Sequence, residues 1–577
     1  MRSYMKKYFI YIFFFLFLGT TFIFAQTQLS VPLTHRVYEL LDYAQIKGLI
    51  SQLPTKKPYS RDLTLKLLDE VLNSASLTTS QAAVFEKARY SLAPALPQAP
   101  VYSVGKYRWE HEGASAEIGG YWDSKLDMNF NIPSLSQRHW LSLYAQGNIG
   151  SRFSYKYDLG LGLMRLRHNA YPVNSYSKDF DGVQFVLKKS RYNFAVDSED
   201  IAAGIRMEPE LALSLCKDKI HINFSRIRRD WGAGDGNLIL SGTARPFVAA
   251  DFLIRPLPWL NFYYVNGTLE FLGPNLKAAA EEFQVTYGAS SIELLFGQYG
   301  FFNVTSSVVY PKRPEPGYWH LGLFPIIYQF YIGDFDNMQL GLAAGGTIPK
   351  YLRIYASVFI DEVNFQTGNF FHKDRNMYAF QTGIKGLLPF LPLGTALLQY
   401  TKVEPYMYTH PLTEVPWYNN KVDTTYINHG EPLGYKLDPN SDELKLKVST
   451  IPLSYLDVQG CYTMVRHGTT YGSNKVDGSS YNDKLDYSYS GNLNNAQKGE
   501  IYYKDFLRDG TYQWIHSLGI ALTADLQEAL NLPLPVSASI GYTFSYSYHT
   551  DKNIHHVQDT DYKDSFSNYL SLSLKIY

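Results

Sequence analysis

The stretch FSYKYDLGLGL, Phe153 to Leu163, decides the architecture. Its odd positions read Phe, Tyr, Tyr, Leu, Leu, Leu; its even positions read Ser, Lys, Asp, Gly, Gly. A strand turns successive side chains to opposite faces, so a period of two sets an apolar face against a polar one. The same alternation runs from Val536 to His549, with Ile540, Tyr542, Phe544, Tyr546 and Tyr548 placed between Ser, Gly and Thr. It returns from Tyr512 to Asp525, where Trp514, Leu518, Ile520 and Leu522 share a face. Each run is near the ~9–11 residues that a tilted strand needs to cross a bilayer. A soluble β-sandwich also alternates, but its strands are usually ~5–6 residues. The runs therefore predict an all-β transmembrane antiparallel barrel, lipid on one face and lumen on the other.

Composition agrees. The chain of 577 residues holds 48 Tyr and is 16% aromatic but only 18% charged, against about 25% in ordinary soluble domains. Lys+Arg and Asp+Glu are both 53, a balance that gives no reason to expect nucleic acid as a partner. After residue 26 no apolar run reaches the ~18 residues of a membrane helix; the stretch 321–332 is broken by Pro325. Cys216 and Cys461 are too few for a disulfide framework. Cys461 follows Asp457 and Gln459 on a polar strand face and is expected to be a free thiol facing the lumen.

Residues 1–25 read as a signal peptide: Arg2, Lys6 and Lys7 precede an apolar run ending at the small residue Ala25. An uncleaved anchor is the alternative. From 26 to 97 the period is helical. In LTHRVYELLDYAQIKGLI, Thr34 is the expected N-cap, Val37, Leu40, Leu41 and Ala44 form a stripe, and Gly48 stands at the C-terminal cap. A second helix starts at the cap Ser60, with Leu63, Leu67 and Val71 as its stripe. A third opens with Thr78 and Gln81 at capping-box spacing. Three short helices bury little alone, so residues 26–97 are expected to plug the periplasmic mouth of a barrel made by residues 98–577. Deleting residues 27–93 is expected to raise single-channel conductance.

Three stretches then resemble the Wzi-like capsule assembly family. VYELLDYAQIKGLISQLPTKKPYSRDL carries the matching Tyr38, Leu40, Leu41, Gly48, Leu49, Ile50, Pro58, Tyr59, Ser60 and Arg61. DWGAGDGNLILSGTARP matches at Trp231, Gly232, Gly234, Leu238, Leu240, Ser241, Ala244, Arg245 and Pro246. HGEPLGYKLDPNSDEL matches at Gly430, Leu433, Gly434, Pro439, Asn440 and Asp442. The resemblance implies an outer-membrane barrel of about 18 strands with an N-terminal helical bundle. It implies a non-catalytic role in holding surface or capsular polysaccharide. Outer-membrane lipid and the barrel assembly machinery would be its other partners.

The glycines of RRDWGAGDG invite a phosphate-loop reading, but an alternating strand precedes them and no Lys-Ser or Lys-Thr follows. They are expected to supply positive-φ positions or room for a close backbone crossing. Arg226, Arg228, Arg229 and Arg245 are candidates to line the lumen or mouth and meet anionic sugar. Pairing with wall carboxylates such as Asp230 and Asp235 is the favoured alternative, since barrel lumens are polar. His555 and His556 stand near Asp559, Asp561 and Asp564 without a recognised metal spacing. No cofactor, metal or catalytic group is expected. The last aromatic, Tyr577, shares a face with Ser571, Ser573 and Lys575 rather than with Leu570, Leu572 and Leu574.

An even-stranded barrel keeps both termini in the periplasm, with short turns there and long loops outside. Counting back from Tyr577 places 550–565, 466–500 and 404–442 outside, and 531–535 and 451–454 in the periplasm. Ser479 is thus expected to be reachable on intact cells and Leu453 not. The loop near 404–435 carries Tyr406, Tyr408, Trp417, Tyr418, Tyr426 and Tyr435. Aromatic rings with polar tips suit sugar faces, so Tyr406, Tyr408, Trp417 and Tyr418 are glycan-binding candidates; packing of the loop on itself is the alternative. A porin-like diffusion channel and an outer-membrane hydrolase are the competing functions. The first needs an open lumen and the second a catalytic group.

Overall fold

The computed structural model describes residues 28–92, 101–167, 183–188, 199–269, 285–319, 336–362, 377–410, 413–414, 421–469, 478–481, 506–507 and 511–577, apart from 75, 104–105, 112, 132–133, 314, 429–430, 552 and 558–561. The signal-peptide reading and the candidates Trp417 and Tyr418 lie outside the described residues.

Eighteen antiparallel strands close into one barrel. In chain order they are β1 Ala114–Asn129, β2 Ser134–Ile149, β3 Phe153–Arg167, β4 Glu199–Leu215, β5 Ile220–Ile227, β6 Phe247–Leu257, β7 Leu260–Thr268, β8 Val285–Leu295 and β9 Gly300–Pro311. The second half runs β10 Asn337–Ile348, β11 Leu352–Glu362, β12 Met377–Leu388, β13 Gly394–Val403, β14 Ser441–Leu453, β15 Leu456–Thr469, β16 Thr511–Asp525, β17 Val536–Asp551 and β18 Ser565–Ile576. The seam closes where Trp122 to Asn129 of β1 pair with Ile576 to Tyr569 of β18. The lower half of β1 pairs instead with the short strand Lys106–His111.

The period-two reading holds along these walls. On β3, Ser154 and Asp158 are buried inside while Tyr157, Leu161 and Leu163 are exposed outside. Leu141, Leu143, Leu518 and Ile520 extend the same outward apolar band, the surface that a barrel turns to lipid. Tyr577 follows its register inward: its ring lies 5.7 Å from that of Tyr121, whose hydroxyl donates to Asp158.

Connections differ between the two ends. One end, here the turn end, carries the connections 150–152, 216–219, 258–259, 296–299, 349–351 and 454–455 and the end of β18. The opposite, loop end carries 228–246 and 404–440, and the short connection 130–133.

The turn end is filled by α1 Val37–Lys47, α2 Arg61–Leu72 and α3 Thr79–Leu92. Their caps explain their limits. Ser60 Oγ accepts from the Leu63 amide (3.2 Å). Thr78 and Gln81 satisfy each other reciprocally, both at 3.3 Å. Gly48, at φ 78, closes α1 with its amide on the Gln45 carbonyl. Thr34 is not the N-cap. A turn that follows Pro32, with the His35 amide on the Pro32 carbonyl, delays the helix, and Arg36 takes the cap position without a side-chain bond.

Leu40, Leu41, Ala44, Leu68, Val71 and Phe85 form the helical core, which continues onto Leu393 and Ile451 at the turn end. Polar ties fasten the bundle there. Arg36 meets Asp457 at 2.8 Å, Lys66 meets Asp218 at 2.7 Å, and Lys87 meets Asp525 at 2.9 Å and Glu528. Glu528 belongs to α4 Leu526–Leu530, a single turn capped by Asp525 between β16 and β17.

Candidate functional site

The segment 228–246 leaves the loop end after β5 and folds into the lumen. Asp230 and Trp231 form a two-residue antiparallel ladder with Lys57 and Lys56 of the N-terminal segment. The Gly232 amide reaches the Thr55 carbonyl at 3.1 Å. Thr55 in turn gives its amide (2.8 Å) and hydroxyl (2.6 Å) to Glu293 on the wall. The chain entering from one end therefore meets the chain entering from the other.

Two glycines make this path possible. Gly236 sits at φ +81, a region costly for residues with a Cβ. A Cβ on Gly234 would stand 2.2 Å from Gln381 Oε1. The glycines serve the turn and the close crossing, as the strand before them and the missing Lys-Ser or Lys-Thr led us to expect.

The four candidate arginines do not act as one cluster. Arg226 is paired with Val248 in register and shares the outward face of β5 with Phe224, where it is buried; it does not face the lumen. Arg228 spans the carbonyls of Thr243 (3.2 Å) and Ala244 (3.1 Å). Arg229 grips Asp251 with two parallel bonds of 2.7 and 2.6 Å and donates to the Ile227 and Phe247 carbonyls. Arg245 meets Glu431 at 3.1 Å. The favoured alternative, pairing, describes Arg229 and Arg245. The partners are Asp251 on the adjoining strand β6 and Glu431 on the 404–440 loop rather than Asp230 and Asp235. Asp230 instead takes Asn237 (2.6 Å) and the Gly242 amide (3.0 Å).

The tyrosines of the 404–440 loop form a core inside the lumen. Tyr406, Tyr408, Tyr426 and Tyr435 are fully buried. The Tyr408 hydroxyl donates to the Leu238 carbonyl (2.9 Å) and the Tyr426 hydroxyl to that of Ile239 (2.6 Å). Tyr408 and Tyr426 stack with centroids 5.6 Å apart, and Phe359 from the wall lies 5.3 Å from Tyr426. Such pairs contribute roughly 0.5–1.5 kcal/mol each beyond area burial. Tyr406 and Tyr408 thus pack one loop on another, and a sugar ring has no access to them. Ser479 is likewise buried, so it does not serve as an accessible labelling position.

An ion ladder joins the loops to the plug. Lys436 and Lys445 approach Glu443 at 3.1 and 3.4 Å, and Lys445 and Lys447 approach Asp235 at 3.8 and 3.7 Å. Lys447 then reaches Glu39 (3.2 Å), Lys385 reaches Glu39 (3.0 Å) and Asp42 (2.8 Å), and Arg353 reaches Asp42 (3.2 Å). Tyr435 donates to Glu443 and accepts from Lys445 at 2.9 Å. Of these residues the sequence singles out only Asp235, as a carboxylate partner, and Tyr435, as a loop aromatic. The signal was available: in DELKLKV the charged Glu443, Lys445 and Lys447 alternate with Leu444, Leu446 and Val448.

The ladder makes the plug sensitive to acid. Lys385, with help from Lys447, holds the Glu39 carboxyl down at about 2. Burial works against Asp42, yet Arg353 and Lys385 keep it well below the usual carboxylate range. A carboxylate depressed on folding stabilises above its unfolded pKa, near 4.5 for Glu39, and loses that contribution as pH falls through the folded value. We therefore expect protease access to residues 28–92 to rise as pH drops from about 4.5 to 2. Glu39→Gln should bring part of that access to neutral pH. Access that rises with alkali and ignores acid would contradict the ladder.

Other chemistry is sparse. His556 pairs with Asp564 (2.7 Å) and His555 with Asp551 (3.4 Å). Among the described residues no group of three His, Cys, Asp or Glu could hold a metal; Asp559 and Asp561 lie outside them. Cys461 is a free, half-buried thiol.

Barrel closure, the outward apolar band and the tied-in helices define an outer-membrane β-barrel fold whose lumen is occupied by its own chain. No protein-family model matches the chain, and no curated protein matches it in sequence. Among solved structures it is similar to Wzi of Escherichia coli, an outer-membrane protein involved in group 1 capsule assembly and a carbohydrate-binding β-barrel. The TM-score is 0.53 at 11% identity, over 95% of this chain and 99% of that one. It is less similar to OprD of Pseudomonas aeruginosa, with a TM-score of 0.40 at 11% identity over 80% of this chain and 94% of that one. OpdK of the same organism scores 0.40 at 9% identity, over 80% and 98%. At 11% identity the likeness to Wzi is one of fold.

Proposed function

We propose that this protein is a non-catalytic, glycan-binding barrel that holds a surface or capsular polysaccharide at the outer membrane. Its loop end faces outward and its termini face the periplasm. The occupied lumen carries this reading. A chain that fills its pore with a tyrosine core from one end and a helical bundle from the other offers a closed surface rather than a path. The fold likeness to a carbohydrate-binding barrel supports the same conclusion. Trp417 and Tyr418 remain the glycan candidates of the loop.

Purified protein should co-sediment with polysaccharide extracted from the cell surface, and Trp417→Ala with Tyr418→Ala should weaken that binding several-fold while heat-modifiable mobility stays normal. On intact cells Ile554→Cys, two-thirds exposed at the loop end, should label, and Phe390→Cys at the turn end should not. No polymer binding by the folded wild type would end the proposal; reversed labelling would end its orientation.

One observation favours a diffusion channel as the second reading. On the inward face of β16–β18, Ala521 and Thr523 are exposed and Gly541, Thr543, Ser571 and Ser573 are half-buried. Nearer the loop end Ile515, Ser545 and Ser547 are buried. A channel would use these uncovered inward positions near the turn end, and conductance decides whether they lead through the barrel.

A further inference from the structure

Two neighbouring cavities, each of about 60 Å³, lie between the N-terminal segment and the wall of β5–β7. They share Lys56, Pro58, His221, Leu253 and Tyr263. Five cationic side chains line the pair, Lys56, Lys57, Lys66, Arg229 and Arg255, against three carboxylates, Asp62, Asp218 and Asp251. The carboxylates are already taken. Lys66 bridges Asp62 and Asp218, both at 2.7 Å, and Arg229 binds Asp251.

Two of the cations are not matched. Lys56 is 4% exposed, and its ammonium lies over the rings of Tyr263 (5.2 Å) and Trp231 (5.5 Å). Among the described residues it has no carboxylate within 4.0 Å and no hydrogen-bond acceptor. The charge of Glu293 acts on it, but the Glu293 oxygens are occupied by Thr55, Asn261 and Tyr263. The second is Arg255, whose Nε is buried without a partner and which lines the same cavity as Lys56 and His221. Two rings satisfy part of an ammonium's demand. A desolvated cation without an acceptor is otherwise costly.

We propose that this cavity pair is a binding site for an oxyanion, a phosphate or a carboxylate, held between Lys56 and Arg255 at the turn end of the barrel. The volume suits a group of that size or the few waters that replace it. Lys66 and Asp218, which line one of the cavities, have side chains about half exposed (51% and 44%), so this side of the pair borders solvent at the turn end. Burial pushes Lys56 down to about 8, the behaviour of an ammonium lacking its counter-ion. The site is independent of the glycan reading, which concerns the loop end.

The test is calorimetric titration of the full-length protein in detergent with sodium phosphate, sodium glucuronate and, as neutral control, glucose. One or both anions should bind at one per chain and glucose should not. Phosphate alone would identify a phosphate ligand, and glucuronate alone an acidic sugar. Lys56→Met and Arg255→Gln should each weaken binding about tenfold or more, the effect of losing a charge-assisted contact. Arg255 is only partly buried, so its variant keeps the test open if Lys56→Met fails to assemble. Absence of binding by either anion, or binding unchanged in both variants, would overturn the site.

Discussion

Removal of residues 28–92 alone is expected to raise conductance only slightly, a smaller effect than a helical plug by itself would give, because the 228–246 loop still occupies the lumen. Their removal together with residues 229–245 is expected to open it. The plug and the 228–246 loop occlude the lumen from opposite ends and meet at the ladder of Lys56–Lys57 with Asp230–Trp231. Deleting the helices takes away the lower half of that contact. The loop keeps Arg229 on Asp251, Arg245 on Glu431, and its carbonyls on Tyr408 and Tyr426. β5 and β6 are paired neighbours, so a short Gly-Ser turn can replace the loop without disturbing the wall. The 404–440 segment then loses the carbonyls that fix its tyrosines. In planar bilayers the double deletion should conduct at least about tenfold more than the single one, as a water-filled lumen differs from a plugged one. Full conductance from the single deletion would show that the loops do not seal, and would favour the channel reading.

The substitution expected to cost most is Arg229→Ala. Arg229 is 1% exposed, with four of its hydrogen bonds directed at Asp251 and at two carbonyls beside the β5–β6 pair. Its guanidinium also lies 4.7 Å from the centroid of Phe247. Truncation leaves a carboxylate uncompensated, a loss worth about 3–5 kcal/mol for a buried pair. Asp251 keeps 25% exposure, so the lower end, about 3 kcal/mol, is expected. Arg228→Ala removes its bonds to the Thr243 and Ala244 carbonyls, a loss that should cost about 1–2 kcal/mol. Urea unfolding in lipid vesicles measures both. Adding Asp251→Ala to Arg229→Ala should recover part of the loss, because no charge is then stranded. A cost below about 1 kcal/mol, or strict additivity of the pair, would mean that the two side chains do not hold the loop.

What the chain's local chemistry settles was legible without a structure. Alternation in Phe153–Leu163, Tyr512–Asp525 and Val536–His549 names strands and their outward faces, because a pleated backbone leaves only two directions for a side chain. Ser60, Gly48 and the Thr78/Gln81 pair mark helix ends, because capping satisfies amides and carbonyls within a few residues. Thr34 failed as a cap for an equally local reason, the turn after Pro32.

Tertiary structure alone decided what fills the lumen. Arg226, Arg228 and Arg229 look like one basic patch, but β5 ends at Ile227. Alternation sends Arg226 outward, and the chain beyond folds freely enough to turn Arg229 onto Asp251. Tyr406, Tyr408, Tyr426 and Tyr435 read equally well as a sugar platform or as a core, since a ring with a polar tip serves both. The acceptors of Tyr408 and Tyr426, the carbonyls of Leu238 and Ile239, lie 170 and 187 positions away in sequence. The ion ladder depends on the same kind of distant meeting: Glu39 finds Lys385 and Lys447 across more than 300 residues. Period and capping are written by neighbours along the chain, whereas burial inside a barrel depends on which distant segments re-enter it, and no spacing in the sequence encodes that.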